Sequence, residues 1–296
     1  MVIKGNGAVN TMEAVKINTK EKERTKVTYH KSVFSSVLTG ITWGAAILAL
    51  AVLVFLVGFI LIRGVKNLTL EQFAWTYNTE NVTMLPAIIN TVTMTVLSLL
   101  LAAPLGIFSA IYLVEYANKR GKLVGLIRIT AETLSGIPSI VYGLFGMLFF
   151  TKTLKMGYSM MSGACTLAIM ILPLIMRTAE EALKSVPDSY REASFGLGAG
   201  KLRTIFKIVL PSAVPGIILA TGRVVGETAA LLFTAGTIAK VAGLMDSGRT
   251  LAVHMYALSS EGLYMNQMYA TGVILMLIVL LINGCSGMIA KKIAKK

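Results

Sequence analysis

The chain has 296 residues, 55% hydrophobic and only 14% charged, with a mean hydropathy of +0.73; these values exclude a water-soluble domain of this length and make lipid the solvent. A formal charge of +14 would also suit a nucleic-acid-binding protein. Here, however, the basic residues are divided among segments between apolar runs, the pattern of membrane topology and headgroup contact, so the bilayer is expected as a partner and nucleic acid is not.

The chain opens with a basic tail, residues 1–31, that carries Lys4, Lys16, Lys20, Lys22, Arg24, Lys26 and Lys31 among polar neighbours. The apolar run at 32–62 is too long for a cleaved leader and reads as a retained first span. Crossing a bilayer takes about 20 helical residues, and uncharged runs of about that length recur at 84–114, 133–151, 156–176 and 262–290. A sixth apolar stretch, 212–239, is broken only by Arg223 and Glu227. Backbone amides in hydrocarbon need internal partners, so these runs predict helices, and the ten-residue alternation of barrel strands is absent. The expectation is an all-α integral membrane protein with six spans. It divides into the tail (1–31), a first span with its outer loop (32–85), a transmembrane core (86–290) containing a loop at 180–211, and a basic end (291–296).

Segments 1–31, 115–132, 177–211 and 291–296 hold 21 of the 28 lysines and arginines, which places them and both termini in the cytoplasm. The outer loop 63–83 contains Trp75 and Tyr77, suited to the headgroup layer. Asn90 lies near the outer end of the second span, and Pro104-Leu105-Gly106 near its middle predicts a bend whose freed carbonyl a neighbouring helix must serve. The third span opens with Ser135-Gly136-Ile137-Pro138-Ser139. This is either a break that lines a cavity, or a helix start at the cytoplasmic surface with Pro138 in its first turn. Gly222 and Gly226 form a small-xxx-small face. Cys165 and Cys285 sit in apolar spans and form no disulfide framework. His254, in the last outer loop, reads as a surface histidine. No spacing of His or Cys suggests a metal, and no cofactor is expected.

The loop at 180–211 holds two short amphipathic helices. In the first, Pro187 suits the first turn, Tyr190, Ala193, Ser194 and Leu197 share a face, and Gly198 ends the helix. After Ala199-Gly200, Leu202, Ile205, Phe206 and Val209 repeat the spacing up to Pro211. A helix pair with an apolar stripe either docks in a partner's groove or lies flat on headgroups. Gly200-Lys201 imitates the end of a P-loop, but Phe195 stands where a glycine is needed and Leu202 where Ser or Thr is needed, so the chain is not expected to hydrolyse ATP. In the fifth span, a charged side chain at a helix centre costs ~3 kcal/mol, so Arg223 and Glu227 each need a partner or a wet pathway. At i, i+4 they can pair with each other. Alternatively, Arg223 offers a transient site to an anion while Glu227 prevents retention.

The pattern Glu192-Ala193-Ser194, Gly198, Ile208-Val209-Leu210-Pro211 resembles the EAA motif of ABC importer permeases at every spacing, with Ser194 where alanine is usual. The stretches 223–236, 133–146, 104–107, 110–116, 250–256 and 260–262 resemble the phosphate permeases of the PstA family. This resemblance implies the type I ABC importer permease (MetI-like) fold in a bacterial or archaeal cell membrane. It also implies assembly with a homologous PstC-like permease, a PstB-like ATP-binding dimer that carries the hydrolysis, and an extracytoplasmic PstS-like phosphate-binding protein. Carried over residue by residue, it assigns ATPase coupling to Glu192, Ala193, Gly198, Ile208, Leu210 and Pro211. It assigns the substrate pathway to Arg223 and Glu227, with Thr228, Ser135 and Ser139 beside them. Residue chemistry leaves sulfate, molybdate or tungstate open as cargo, since a guanidinium attracts each of them. A secondary transporter or channel would predict inverted repeats and would leave the amphipathic helix pair unexplained.

Overall fold

A computed structural model describes residues 33–78, 80–118, 121–213 and 222–294; the predicted tail 1–31 and residues 214–221 of the predicted fifth span lie outside them. The described residues contain helices and no strands. The first helix, α1 (Val33–Lys66), contains an 18-residue stretch with a mean hydropathy of 3.2 and has an exposed apolar surface, as a lipid-facing span requires. Then come α2 (Leu85–Ile111), continued by a π-turn over Tyr112–Tyr116, and α3 (Lys122–Ser135). Next is α4 (Ser139–Gly146), continued by a π-helical stretch at Met147–Thr153, followed by α5 (Met160–Ser185). Of these, α1, α2 and α5 are long and apolar enough to cross a membrane, as is α10 (Met265–Ala294), and a fifth span results if α3 and α4 count as one bent pair.

The core is the seam between α2 and α5. Small residues let the two backbones approach: a Cβ on Gly106 would stand 2.8 Å from Cγ2 of Ile175. Met94 and Ala102 of α2 pack with Leu167, Met170 and Ile171 of α5. The polar residues of this seam satisfy themselves without water, as hydroxyls in an apolar interior must. Thr91, Thr95 and Ser98 donate to the carbonyls of Ala87, Thr91 and Met94 at 2.7, 2.7 and 2.8 Å. The helix runs on through Pro104 to Ile111.

Two predicted spans differ from continuous rods. The third bends by 98° between α3 and α4, at Gly136-Ile137-Pro138, where Pro138 supplies no amide and sits as the residue before the first turn of α4. The fifth, predicted at 212–239, is helical at 222–225, broken at Gly226–Thr228, and resumes for one turn as α8 (Ala229–Leu232) before becoming extended. Gly226 and the capping of α8 by the Glu227 carboxylate, which accepts from Ala230 N at 3.2 Å, account for the break. Gly222 approaches Asn283 of α10, whereas nothing lies near Gly226, so the two glycines do not form one helix face.

The broken segment is held by α4. A Cβ on Gly143 would come within 2.9 Å of the Ala230 Cα and 3.1 Å of the Ala229 carbonyl oxygen, contacts with backbone that cannot rotate away. Replacement Gly143→Val is expected to cost about 1–3 kcal/mol, seen as a lower thermal midpoint of the purified protein in detergent. An unchanged midpoint would show that α4 and α8 are not packed in this way.

Candidate functional site

The loop after α5 folds as two short helices, α6 (Asp188–Gly196) and α7 (Lys201–Thr204), the latter widening into a π-turn over Ile205–Val209. Pro187 caps α6 from outside, and Gly198 takes φ +79°, a conformation that glycine adopts without strain. The hydroxyls of Ser194 and Thr204 meet at 2.8 Å in a buried position, so the serine that stands in place of the usual alanine ties α6 to α7. The predicted stripes divide. Ile205 and Val209 are buried against Leu113, Val124, Ala179 and Leu183, while Leu202 and Phe206 face outward. On α6 and its end, Tyr190, Phe195 and Leu197 are exposed and only Ser194 is buried. Glu192, Ala193 and Gly198 lie on this open side together with Ile208; Leu210 and Pro211 are half-buried where the loop rejoins the core.

Arg191 fixes the loop. Its Nε donates to Glu115 Oε1 at 3.0 Å, Nη1 to the carbonyl of Val186 at 2.7 Å and to Asp188 Oδ1 at 3.1 Å, and Nη2 to the carbonyl of Leu183 at 2.9 Å. The two carbonyls belong to the end of α5, whose last turn has no helical donors left for them. Lys201 adds a hydrogen bond from Nζ to the Glu115 carbonyl and a cation–π contact 4.2 Å from the centre of the Tyr116 ring. On the same corner, Glu180 takes Arg128 of α3 and Lys184 at 2.7 Å each. A cavity of about 510 Å³ opens between Glu115, Arg128, Lys184, Asp188 and Arg191. Sequence reasoning did not single out Arg191 or Glu115, and it read Lys201 only as the end of a false P-loop. The paired charges were visible, but their partnership across 76 residues was not.

The broken fifth segment lies against the start of α4. Val224 and Ala230 pack with Tyr142, and the charge of Arg223 acts on that ring's hydroxyl. The Tyr142 hydroxyl in turn donates to the Leu134 carbonyl at 2.8 Å, across the bend. Arg223 itself is exposed on the chain, and Glu227 and Thr228 are half-buried. Among the described residues Arg223 and Glu227 form no ion pair. The break at Gly226 removes the shared helix face that an i, i+4 pair requires. Ser135 donates to the Glu132 carbonyl at 2.8 Å, closing the end of α3, and Ser139 begins α4.

Beyond the fifth segment the chain folds back on itself, with Arg249 N donating to the Ile238 carbonyl at 3.0 Å and Gly248 N to that of Ala235 at 3.2 Å. Asn90 of α2 pins this return. Its Nδ2 donates to the carbonyls of Lys240 and Arg249 at 2.8 and 3.1 Å, and its Oδ1 accepts from Ala242 N at 3.0 Å. The next helix, α9 (Leu251–Glu261), is too short to span and carries His254 fully buried, which corrects the expectation of a surface histidine. Among the described residues, both His254 ring nitrogens, and Nε and Nη2 of the buried Arg249, have no hydrogen-bond partner. The Arg249 guanidinium lies 4.6 Å from the centre of the Tyr77 ring.

The described residues hold helices long and apolar enough to cross a membrane and, between two of them, a pair of short helices. Residues 102–295 match the family described as binding-protein-dependent transport system inner membrane component. The chain is 33% identical over 255 residues to the probable ABC transporter permease protein YqgI of Bacillus subtilis, covering 79% of this chain and 86% of that one. It is 36% identical over 223 residues to the phosphate transport system permease protein PstA 1 of Mycobacterium tuberculosis, covering 71% and 72%. In fold it is similar to a chain of the MetNI methionine ABC transporter (TM-score 0.53, 20% identity, 80% and 97% covered) and to one of a bacterial alginate ABC transporter (TM-score 0.58, 15% identity, 89% and 95% covered). The chain belongs to the binding-protein-dependent transport system inner membrane components. It has the type I ABC importer permease fold and is a multi-pass inner-membrane transport subunit without ATPase activity of its own.

Burial, and then the positive charge of Arg249, push the His254 imidazole from its ordinary 6.5 down to about 3, so the folded protein holds it neutral. An unfolded chain takes up that proton near pH 6.5. The stability contribution is therefore fully present above that pH and falls as pH drops from about 6.5 toward 3, at up to about 1.4 kcal/mol per unit. Thermal unfolding of the purified protein is expected to show a loss of about 2 kcal/mol between pH 6.5 and 5, and His254→Gln is expected to flatten that slope. Equal slopes in the two proteins would remove His254 as the cause.

Proposed function

We propose that this chain is the permease subunit of an ATP-driven phosphate importer. It forms half of the translocation pathway and takes its motion from a separate ATPase through α6 and α7. What carries the choice of cargo is similarity to phosphate transport permeases over most of the chain, and Arg223, exposed beside a backbone break and without an ion pair among the described residues, supports it. Broken helices at membrane depth are tolerated where they line a cavity, and a guanidinium there attracts an oxyanion. Glu227 sits four residues on and, by keeping the local field from becoming strongly positive, allows release. Thr228, Ser135 and Ser139 supply hydroxyls near the same break.

The proposed assembly contains a homologous PstC-like permease, a dimer of PstB-like ATP-binding subunits and an extracytoplasmic PstS-like phosphate-binding protein. Six spans with both termini in the cytoplasm fit the distribution of lysine and arginine. That orientation puts α6 and α7 on the ATPase side and the return pinned by Asn90 on the opposite side. The loaded binding protein docks outside. ATP binding closes the ATPase dimer and carries with it the exposed face formed by Tyr190, Phe195, Leu197 and Leu202, around Glu192, Ala193 and Gly198. Ile208, Leu210 and Pro211 pass that motion into the fifth segment, the spans open outward, and the anion enters. Hydrolysis reverses the change, a shift between two packed states.

Radiolabelled phosphate uptake in phosphate-starved cells tests the reading. The intact chain is expected to support uptake that excess sulfate, molybdate or tungstate does not reduce, and Arg223→Ala, at equal membrane level, is expected to lose it by about tenfold or more. Uptake abolished by one of the competitors would replace phosphate as cargo, and full activity of Arg223→Ala would remove that residue from the pathway. Gly198→Pro cannot adopt the positive φ of the turn; it is expected to stay in the membrane and stop transport, and normal uptake would sink the role of the helix pair as a lever.

A further inference from the structure

The helix pair is joined covalently to only two parts of the core, α5 through Val186-Pro187 and the fifth segment through Leu210-Pro211. The second span, α2, has no such link, yet its end is where the loop makes its most directional contacts. Arg191 and Glu115 are 13% and 10% exposed, and the carboxylate sits in the π-turn that terminates α2. Lys201, from the second short helix, reaches the carbonyl of the same glutamate. Because the Ser194–Thr204 hydrogen bond unites the two short helices, these contacts join one body to α2. The opposite end of α2 carries Asn90, whose three hydrogen bonds hold the return at 240–249. Between Asn90 and Glu115 lie roughly 37 Å of helix at 1.5 Å rise per residue.

We propose that α2 is a transmission rod. The Arg191–Glu115 joint passes the movement of the helix pair to the cytoplasmic end of α2, and Asn90 passes it to the return segment at the other end, which continues directly from the fifth segment. Arg191, Glu115 and Asn90 are positioning residues that touch neither cargo nor ATP. A charged joint suits this role. Removing one member leaves a buried charge without compensation, so the joint holds α2 in register with the loop, where an apolar contact alone would let it slide. The rod is a physical coupling element in the sense that both ends have discrete partners to gain or lose.

The inference rests on the importer reading, and the test separates the two. The intact transporter, reconstituted in liposomes with its ATP-binding and substrate-binding subunits, is assayed for phosphate taken up per ATP hydrolysed. If the wild-type assembly takes up no phosphate, the importer reading fails. If it does, Glu115→Gln, Arg191→Lys and Asn90→Ala are each expected to lower that ratio by about tenfold, the scale of a lost hydrogen bond to a charged or buried group, with hydrolysis continuing. Arg191→Lys keeps the charge but cannot span the carboxylate and both carbonyls, so it decides the matter if Glu115→Gln does not assemble. An unchanged ratio in Arg191→Lys overturns the joint, as does failure of Arg191→Lys to assemble, which would make it a folding staple. An unchanged ratio in Asn90→Ala overturns the rod.

Discussion

A chain in hydrocarbon must hydrogen-bond its own backbone, because no water is present to do so and each unmet group costs several kcal/mol. Unbroken helices meet this condition by themselves. Where this protein departs from them, a side chain has taken over. Tyr142 serves the Leu134 carbonyl at the bend between α3 and α4. Arg191 serves the Leu183 and Val186 carbonyls at the end of α5. Asn90 serves two carbonyls and an amide of the return segment, and Thr91 accepts from the first amide of α9 at 2.8 Å. These four residues serve backbone groups that the helices themselves leave unmet.

The same constraint explains why the fifth segment is not a plain helix. A continuous helix would stack Arg223 over Glu227 and neutralise both locally. The break turns the carboxylate inward to the amide of Ala230 and leaves the guanidinium exposed on the face of the chain. The one-turn helix that follows is then held by the absence of side chains at Gly143, where backbone meets backbone. Packing, not propensity, fixes this stretch: four residues of helix have no stability of their own.

Much of this was legible in the sequence. The length and apolarity of the spans, the two short helices, the glycine turn at 198 and the Gly136-Ile137-Pro138 opening of the third span all follow from local rules, since each depends on neighbours within a few residues. What local rules misplaced are groups whose environment is set at long range. His254 looked like a loop histidine because a neighbour that packs edge-on against it, the Tyr77 ring, is remote in sequence. The 212–239 run looked continuous because composition reports solvent, not helix breaks. The stripe on α7 looked like one face, whereas Ile205 and Val209 turn to the core and Leu202 and Phe206 turn away.

In the proposed importer the two short helices act as a lever, which needs both adhesion and direction. The apolar seat of Ile205 and Val209 against Leu113 and Leu183 gives adhesion, but dispersion contacts are individually small and tolerate sliding. Direction comes from hydrogen bonds, which weaken steeply with angle. Arg191 has donors on three of its nitrogens engaged with two elements at once, the end of α5 and the end of α2. A rotation of the helix pair therefore cannot satisfy α5 while abandoning α2 without breaking the Arg191–Glu115 ion pair beside the cavity. In the proposed cycle that cost favours two discrete packings over a continuum between them, and a transporter that must never be open on both sides at once requires discreteness of this kind.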